Sequence, residues 1–226
     1  MIMVNSYIIG AYWGSRMQSL KEVKDHVVRT LSGLTREDEQ FANWYEGGQS
    51  RKKALEKHVT INDDSTIERL CLEQVRKGEL DADGFSKMGF LFGLWTGHEE
   101  EEASNISFSV GTGSKWLSNS CVINLPNQGD AHKRLLKKET AMSIMALLVD
   151  IWKPDYAVLT SSTLRDKLDV GNEIGWITYQ KAIKKPVKKM SGIAYNQKND
   201  GHWFYPVSNN YEEMLLEDII KIRDVI

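Results

Sequence analysis

Five histidines, two cysteines, an Asp-rich turn and a glycine loop are the residues of this chain that could carry chemistry, and their spacing decides what each can do. His26, His58, His98, His132 and His202 are widely separated, and none forms the His-x-x-x-His or Cys-x-x-Cys pairs that hold zinc or iron. Cys71 and Cys121 stand alone in apolar stretches, as reduced core residues do. Asp81-Ala82-Asp83-Gly84 resembles part of a calcium loop, but with Gly84 at the sixth loop position the twelfth falls on Phe90, where a bidentate carboxylate is required. Gly111-Thr112-Gly113-Ser114-Lys115 invites a phosphate-loop reading, yet the Gly-x-x-x-x-Gly-Lys-Ser/Thr spacing is missing and the segment lies between strand-like stretches, as a hairpin turn does. No serine sits in a Gly-x-Ser-x-Gly elbow, and neither cysteine has the surroundings of a protease nucleophile. No catalytic residue, metal or cofactor is expected, and a hydrolase with a site dispersed along the chain stays open only as an alternative.

Charge adds two local features to a neutral background. Lys plus Arg number 29 and Asp plus Glu 31, for a net charge of −2, which names no partner. Glu99, Glu100, Glu101 and Glu102 are adjacent, while Lys181, Lys184, Lys185, Lys188 and Lys189 gather around Pro186 between Tyr179 and Tyr195. The lysines offer the second alternative, a nucleic-acid-binding module, although duplex binders usually spread basic charge over a whole face. The chain of 226 residues can bury a core without disulfides. Its N-terminal stretch lacks the basic and long apolar regions of a secretory signal, and no run approaches the roughly 18 apolar residues of a membrane span. A cytoplasmic protein that does not enter the membrane is the expectation.

The elements that position these residues follow from periodicity. A first strand is expected over about 3–12, then an amphipathic helix carrying Met17, Leu20, Val23, Val27, Val28 and Leu31. Ser50 precedes a helix with Ala54 and Leu55, and Ser65 is placed to cap another with Ile67, Leu70, Leu72 and Val75. Phe85 to Trp95, Asn105 to Val110 and Ser120 to Leu125 read as an antiparallel meander turning at Gly111-Thr112-Gly113. The longest helix is expected from Ala131 to Trp152, stopped by Pro154, followed by a buried strand at Tyr156-Ala157-Val158-Leu159. Strands near 174–180 and 201–207 and a final helix with Tyr211, Met214, Leu215, Ile219 and Ile220 complete an α+β pattern. One domain over 1–226, a mainly antiparallel sheet packed by helices, is the predicted architecture.

Three aromatic–glycine signatures add what periodicity does not. Tyr12-Trp13-Gly14-Ser15-Arg16 is followed by Ser19; Phe41, Trp44, Gly48, Ser50, Ala54 and Leu55 form a second block; Tyr156-Ala157-Val158 and Gly175-Trp176-Ile177-Thr178-Tyr179 form a third. In wording and order these blocks, running from near residue 7 to near 207, resemble the bacterial immunity protein 52 family. The resemblance implies a small α+β protein encoded beside a polymorphic toxin, commonly a nuclease of restriction-endonuclease-like fold delivered by contact-dependent or type VI secretion. It implies stoichiometric neutralisation of the toxin, by covering its cleft or holding it inactive, without turnover or cofactor. The expected partner is the cognate toxin of a neighbouring gene, with no membrane and no direct nucleic acid.

Trp in a glycine-containing strand most often fills sheet core, so Trp13, Trp95, Trp152 and Trp176 are expected as scaffold. Trp44, Tyr45 and Trp116 lie in polar, loop-like surroundings suited to interface anchors. Glu99, Glu100, Glu101 and Glu102 must be exposed, since adjacent carboxylates are costly to bury together, and they are assigned to toxin capture against the alternative of a loop that only aids solubility.

Overall fold

The computed structural model describes residues 5–168, 173–209 and 214–226. Strand β1 (Tyr7–Trp13) leads into α1 (Leu20–Glu37), α2 (Arg51–Leu55) and α3 (Asp64–Leu72). A meander of β2 (Phe90–Trp95), β3 (Asn105–Val110) and β4 (Asn119–Asn124) follows, then α4 (Gly129–Leu135) and α5 (Lys138–Trp152). The remainder comprises β5 (Tyr156–Ser161), α6 (Ser162–Leu168), β6 (Ile177–Gln180), β7 (Ile193–Lys198), β8 (Gly201–Pro206) and α7 (Leu216–Arg223). All eight strands join one sheet in the order β2-β3-β4-β1-β5-β6-β8-β7, and every neighbouring pair is antiparallel. The predicted α+β class with a mainly antiparallel sheet is what the chain forms.

Period-two alternation splits this sheet into unlike faces. Ile9, Ala11 and Trp13 of β1 meet Val23, Val27 and Leu31 of α1 and Ala141, Met145, Leu148 and Trp152 of α5 in the main core. Trp13 and Trp152 stack at 5.4 Å across the layer; the Trp152 indole N–H donates to Thr30 Oγ1 at 3.0 Å, while the Trp13 indole N–H is held by packing alone. On the opposite face a second cluster, with Leu164, Ile193, Phe204, Ile219 and Ile222, is built by α6 and α7 against the β7–β8 end. The helices of that second layer stop short of β2, β3 and β4, whose outward positions stay partly or fully exposed.

Local signals explain most boundaries, and tertiary contacts the rest. Ser19 caps α1 in a reciprocal box with Glu22, leaving Met17 outside the helix and exposed. Asp63, not Ser65, caps α3; Ser65 lies inside the helix and donates to Asp63. The strand expected from Phe85 begins only at Phe90, after a turn in which Gly89 takes φ +75°. The turn expected at Gly111-Thr112-Gly113 is a longer loop over 111–118. The expected long helix from Ala131 is two helices separated at Leu136 and Lys137, where Lys137 is extended (ψ 135°). No Pro or Gly breaks it: Arg134 is drawn to Asp38 and His132 to the Pro126 carbonyl, whereas α5 follows the sheet. Among the described residues the longest helix is therefore α1. Helix α6 and strand β7 had no sequence expectation, and the final helix starts at Leu216, after Met214 and Leu215. Residues 3 and 4 of the expected first strand and Tyr211 of the expected last helix lie outside the described residues.

Candidate functional site

The signature blocks prove to be fasteners. Arg16 donates to the Trp152 and Lys153 carbonyls at 2.5 and 2.7 Å, placing its cation at the negative end of α5, where Lys153 closes the helix in the left-handed region. Burial lowers the pKa of this guanidinium while Asp155 opposes the shift. Gly14 N–H donates to Asp155 at 2.9 Å, its carbonyl accepts from Asn119 at 2.7 Å, and Ser15 donates to the Gly113 carbonyl at 2.6 Å. In the second block Trp44 stacks on Phe41 at 5.8 Å and the Trp95 indole donates to the Glu46 carbonyl at 3.0 Å. In the third, any side chain at Gly175 would strike the Leu159 carbonyl, and Trp176 stacks on Tyr7 at 5.9 Å.

This corrects one anchor and qualifies another. Trp44 is fully buried, so its ring offers a partner no surface; its polar neighbours in sequence hide a core position. Tyr45 is half-buried, occupied by His58, Trp95 and Gly97. Of the expected scaffold, Trp13 and Trp152 are buried, while Trp95 and Trp176 are half-buried.

The outward positions of β2, β3 and β4 that no described helix covers belong to cross-strand rows that run on into the buried strands β1 and β5. Leu91, Ser109, Ser120, Tyr12 and Tyr156 form one row in register across β2-β3-β4-β1-β5. Gly93, Ser107, Val122, Gly10 and Val158 form the next, and Trp95, Asn105, Asn124, Ile8 and Thr160 a third. The middle row has small residues where its neighbours are larger, so the open part of this face has a shallow floor. At Gly10 the Tyr12 ring leans over the space a Cβ would fill, so a side chain there would displace the ring. Tyr12 and Tyr156 stack at 4.9 Å at the margin, and burial pushes the Tyr156 phenol up to about 12.

One end of this face is the acidic loop between β2 and β3. All four glutamates are exposed, and Glu100–Glu102 form a 3-10 turn. The turn is anchored: the Glu101 carbonyl accepts from Asn127 and Gln128 backbone N–H at 2.8 and 3.2 Å, and the Glu102 carbonyl accepts from buried Gln40 at 2.7 Å. Gln40 is itself seated by Asp38, whose carboxylate accepts from Gln40 N–H and from two nitrogens of Arg134 at 2.9 Å each. Burial works to raise the Asp38 pKa, and the Arg134 and Gln40 hydrogen bonds outweigh it, so the carboxylate is held below its usual range. Arg51 reaches Glu99 at 3.2 Å. The backbone beneath the charges is thus fixed before any partner arrives.

The other end, roughly 20 Å along the strands at about 3.4 Å per residue, is the 111–118 loop. Trp116 is 95% exposed there, with Leu117 beside it. Thr112 donates to the Lys87 carbonyl at 3.2 Å next to exposed Met88, and Met17 lies so close to Gly113 that a Cβ would overlap it. Met17, Met88, Trp116 and Leu117 therefore gather at one corner, and Leu91, also exposed, leads from it onto the open face. Trp116 had been singled out from sequence; its methionine neighbours had not, because they are distant in the chain and meet only through the loop.

The residues with chemical potential do not converge. The five histidines meet Gln18, Asn43, Thr96, the Pro126 carbonyl and Tyr195, respectively, in five separate places. Cys71 and Cys121 are both free and buried, and burial raises both thiols, Cys71 to about 12. Among the described residues no group of three His, Cys, Asp or Glu could hold a metal, and no helix is long and apolar enough to cross a membrane.

Comparison with known proteins agrees with the signature blocks. The family model Immunity protein 52 matches residues 5–193, ending at the start of β7 rather than near 207. The Pseudomonas aeruginosa T6SS protein PA0821 superposes with a TM-score of 0.49 at 9% sequence identity, over 97% of this chain and 72% of that chain. No protein of curated function matches.

Proposed function

Because this chain belongs to the immunity protein 52 family, we propose that it neutralises a cognate toxin, encoded by a neighbouring gene, by forming a stoichiometric complex in the cytosol of the producing cell. One domain spans the chain and performs no turnover. The toxin seats on the open face of β2, β3 and β4, held at one end by Trp116 and at the other by Glu99–Glu102. The observation that carries this reading is the placement of a preordered acidic loop and an exposed Trp–Met corner at the two ends of one uncovered hairpin. An aromatic ring in an apolar corner supplies the desolvated anchor that dominates interface energy, and the charged margin supplies orientation and encounter rate.

The acidic loop also fits the class of toxin. A nuclease must present positive charge to a phosphate backbone, so a carboxylate cluster complements that surface and competes with the substrate for it. A restriction-endonuclease-like nuclease is the proposed target. The test is titration of the toxin's activity with this chain: inhibition reaching completion at a fixed molar ratio, with the complex surviving gel filtration, supports binding. Complete inactivation at a small fraction of that ratio would show turnover and overturn it.

A further inference from the structure

The segment between β6 and β7 builds a second, unlike surface. Ile183, Val187 and Met190 turn towards the second hydrophobic cluster, which anchors the strip at intervals of three and four residues and leaves the lysines between them outside. Backbone N–H groups of Lys184 and Lys185 donate to the Val225 carbonyl at 2.9 and 3.2 Å, fastening the strip to the end of α7. Between strip and helix lies a cavity of about 520 Å³ whose rim carries Lys185, Lys188, Lys189 and Lys221, over apolar Met190 and Val225. Asp224 is the one carboxylate in its lining. Lys221 is held by buried Asp218 at 2.6 Å; Lys185, Lys188 and Lys189 have no ion-pair partner among the described residues.

Lys188, Lys189 and Met190 also line a smaller cavity of about 210 Å³ on the side of β7, together with Ile193 and Tyr195. The Tyr195 ring is exposed yet fixed, its hydroxyl at 2.8 Å from His202 Nδ1 and its ring 5.4 Å from Phe204. A cationic rim in one cavity and a positioned aromatic face in the next, sharing two lysines, match a ligand with clustered negative charge at one end and a planar ring at the other. Lysine is suited to phosphate as a mobile point charge, and tyrosine stacks on any base. The volumes fit a mononucleotide better than a macromolecule, and the chain's near-zero net charge supplies none of the broad basic field that a long strand requires.

We infer that these paired cavities bind a nucleoside di- or triphosphate, with the phosphates on Lys185, Lys188 and Lys189 and the base against Tyr195. This site lies beside the opposite edge strand from the proposed toxin surface and does not depend on it.

Calorimetric titration of the full chain at low salt tests it with three probes: ADP, inorganic pyrophosphate and a short mixed-sequence DNA strand. ADP should saturate at one per chain. Lys188→Gln combined with Lys189→Gln should weaken ADP and pyrophosphate alike by about tenfold, the loss expected of two exposed cation contacts. Tyr195→Ala should weaken ADP several-fold and leave pyrophosphate unchanged. Absence of saturable ADP binding, or ADP affinity indifferent to the lysine pair or to Tyr195, would overturn the site. Tighter binding of the DNA strand than of ADP would replace it with a nucleic-acid track.

Discussion

The signature blocks and the β2–β3 hairpin use similar residues for opposite ends. Trp13, Trp44 and Trp152 are sealed into the main core, and the glycines around them permit close approaches, whereas Trp116 stands in solvent at a loop tip. Arg16 closes a helix and Arg134 holds the aspartate that seats Gln40, while Glu99–Glu102 face outward on a backbone that Gln40, Asn127 and Gln128 hold still. The difference teaches that family identity resides in the buried fasteners, apart from the surface proposed for a partner. The residues that make the chain recognisable hold the sheet to its helices, and the surface that would meet a toxin carries almost none of them.

The strongest way to break that division is Trp13→Ala. It should cost about 3–5 kcal/mol by emptying a buried site between β1 and α5. Trp176→Ala should cost less, since its ring is half-exposed. Thermal melts unchanged in both variants, with toxin binding lost, would place these residues in the interface instead. Trp116→Ala should do the reverse, weakening the toxin complex by about 2 kcal/mol or more with a melting curve like the wild type; equal affinity would remove Trp116 from the interface.

Gln40→Leu probes the junction of the two regions. It strips the Glu102 carbonyl of its buried donor and should cost about 1–3 kcal/mol, while slowing toxin association because the acidic turn loses its seat. Stopped-flow mixing reads the second effect, and an unchanged rate would uncouple Gln40 from capture. Replacing Glu99–Glu102 with Gln should slow association at low salt and flatten its salt dependence, with dissociation little altered; wild-type rates would leave the loop a solubility device.

The smallest effect is on acid stability. Burial against Trp152 lowers the His26 pKa below its ordinary value, with Asp25 opposing the shift. The unfolded chain therefore takes up this proton first, so the contribution of neutral His26 is complete above about pH 6.5 and is lost as pH falls below it. Chemical denaturation of His26→Gln across that range should show a shallower decline than wild type; parallel curves would assign the acid sensitivity elsewhere.

Much of the fold was legible because its signals are local. The Ser19–Glu22 box starts α1, Pro154 follows the end of α5, and the alternation of Ile106, Phe108 and Val110 marks the buried side of β3. The division of α4 from α5 was not legible, because Arg134 finds Asp38 across the fold. Strand β7 was overlooked since its residues are mostly exposed and do not alternate; Asn199-Asp200-Gly201, with positive φ at Asn199 and Asp200, was the turn signal that could have revealed it. Of the candidate site, Trp116 and the glutamates were readable as oddities of composition. Their shared hairpin, the methionines at one end and the Gln40 seat at the other required the register of the sheet.

That register also sets a schedule. Strand β1 is made first but sits between β4 and β5, with Tyr7 opposite Ser161. At about 5–20 residues per second, a ribosome needs on the order of ten seconds or more to supply those partners. Until then β1 and the apolar stripe of α1 wait without the strands and helix that cover them, and pairing across so long a separation is intrinsically slow. Closure of the sheet would therefore lag behind synthesis of its first strand, and whatever surface the finished sheet presents would exist only once β5 has left the ribosome.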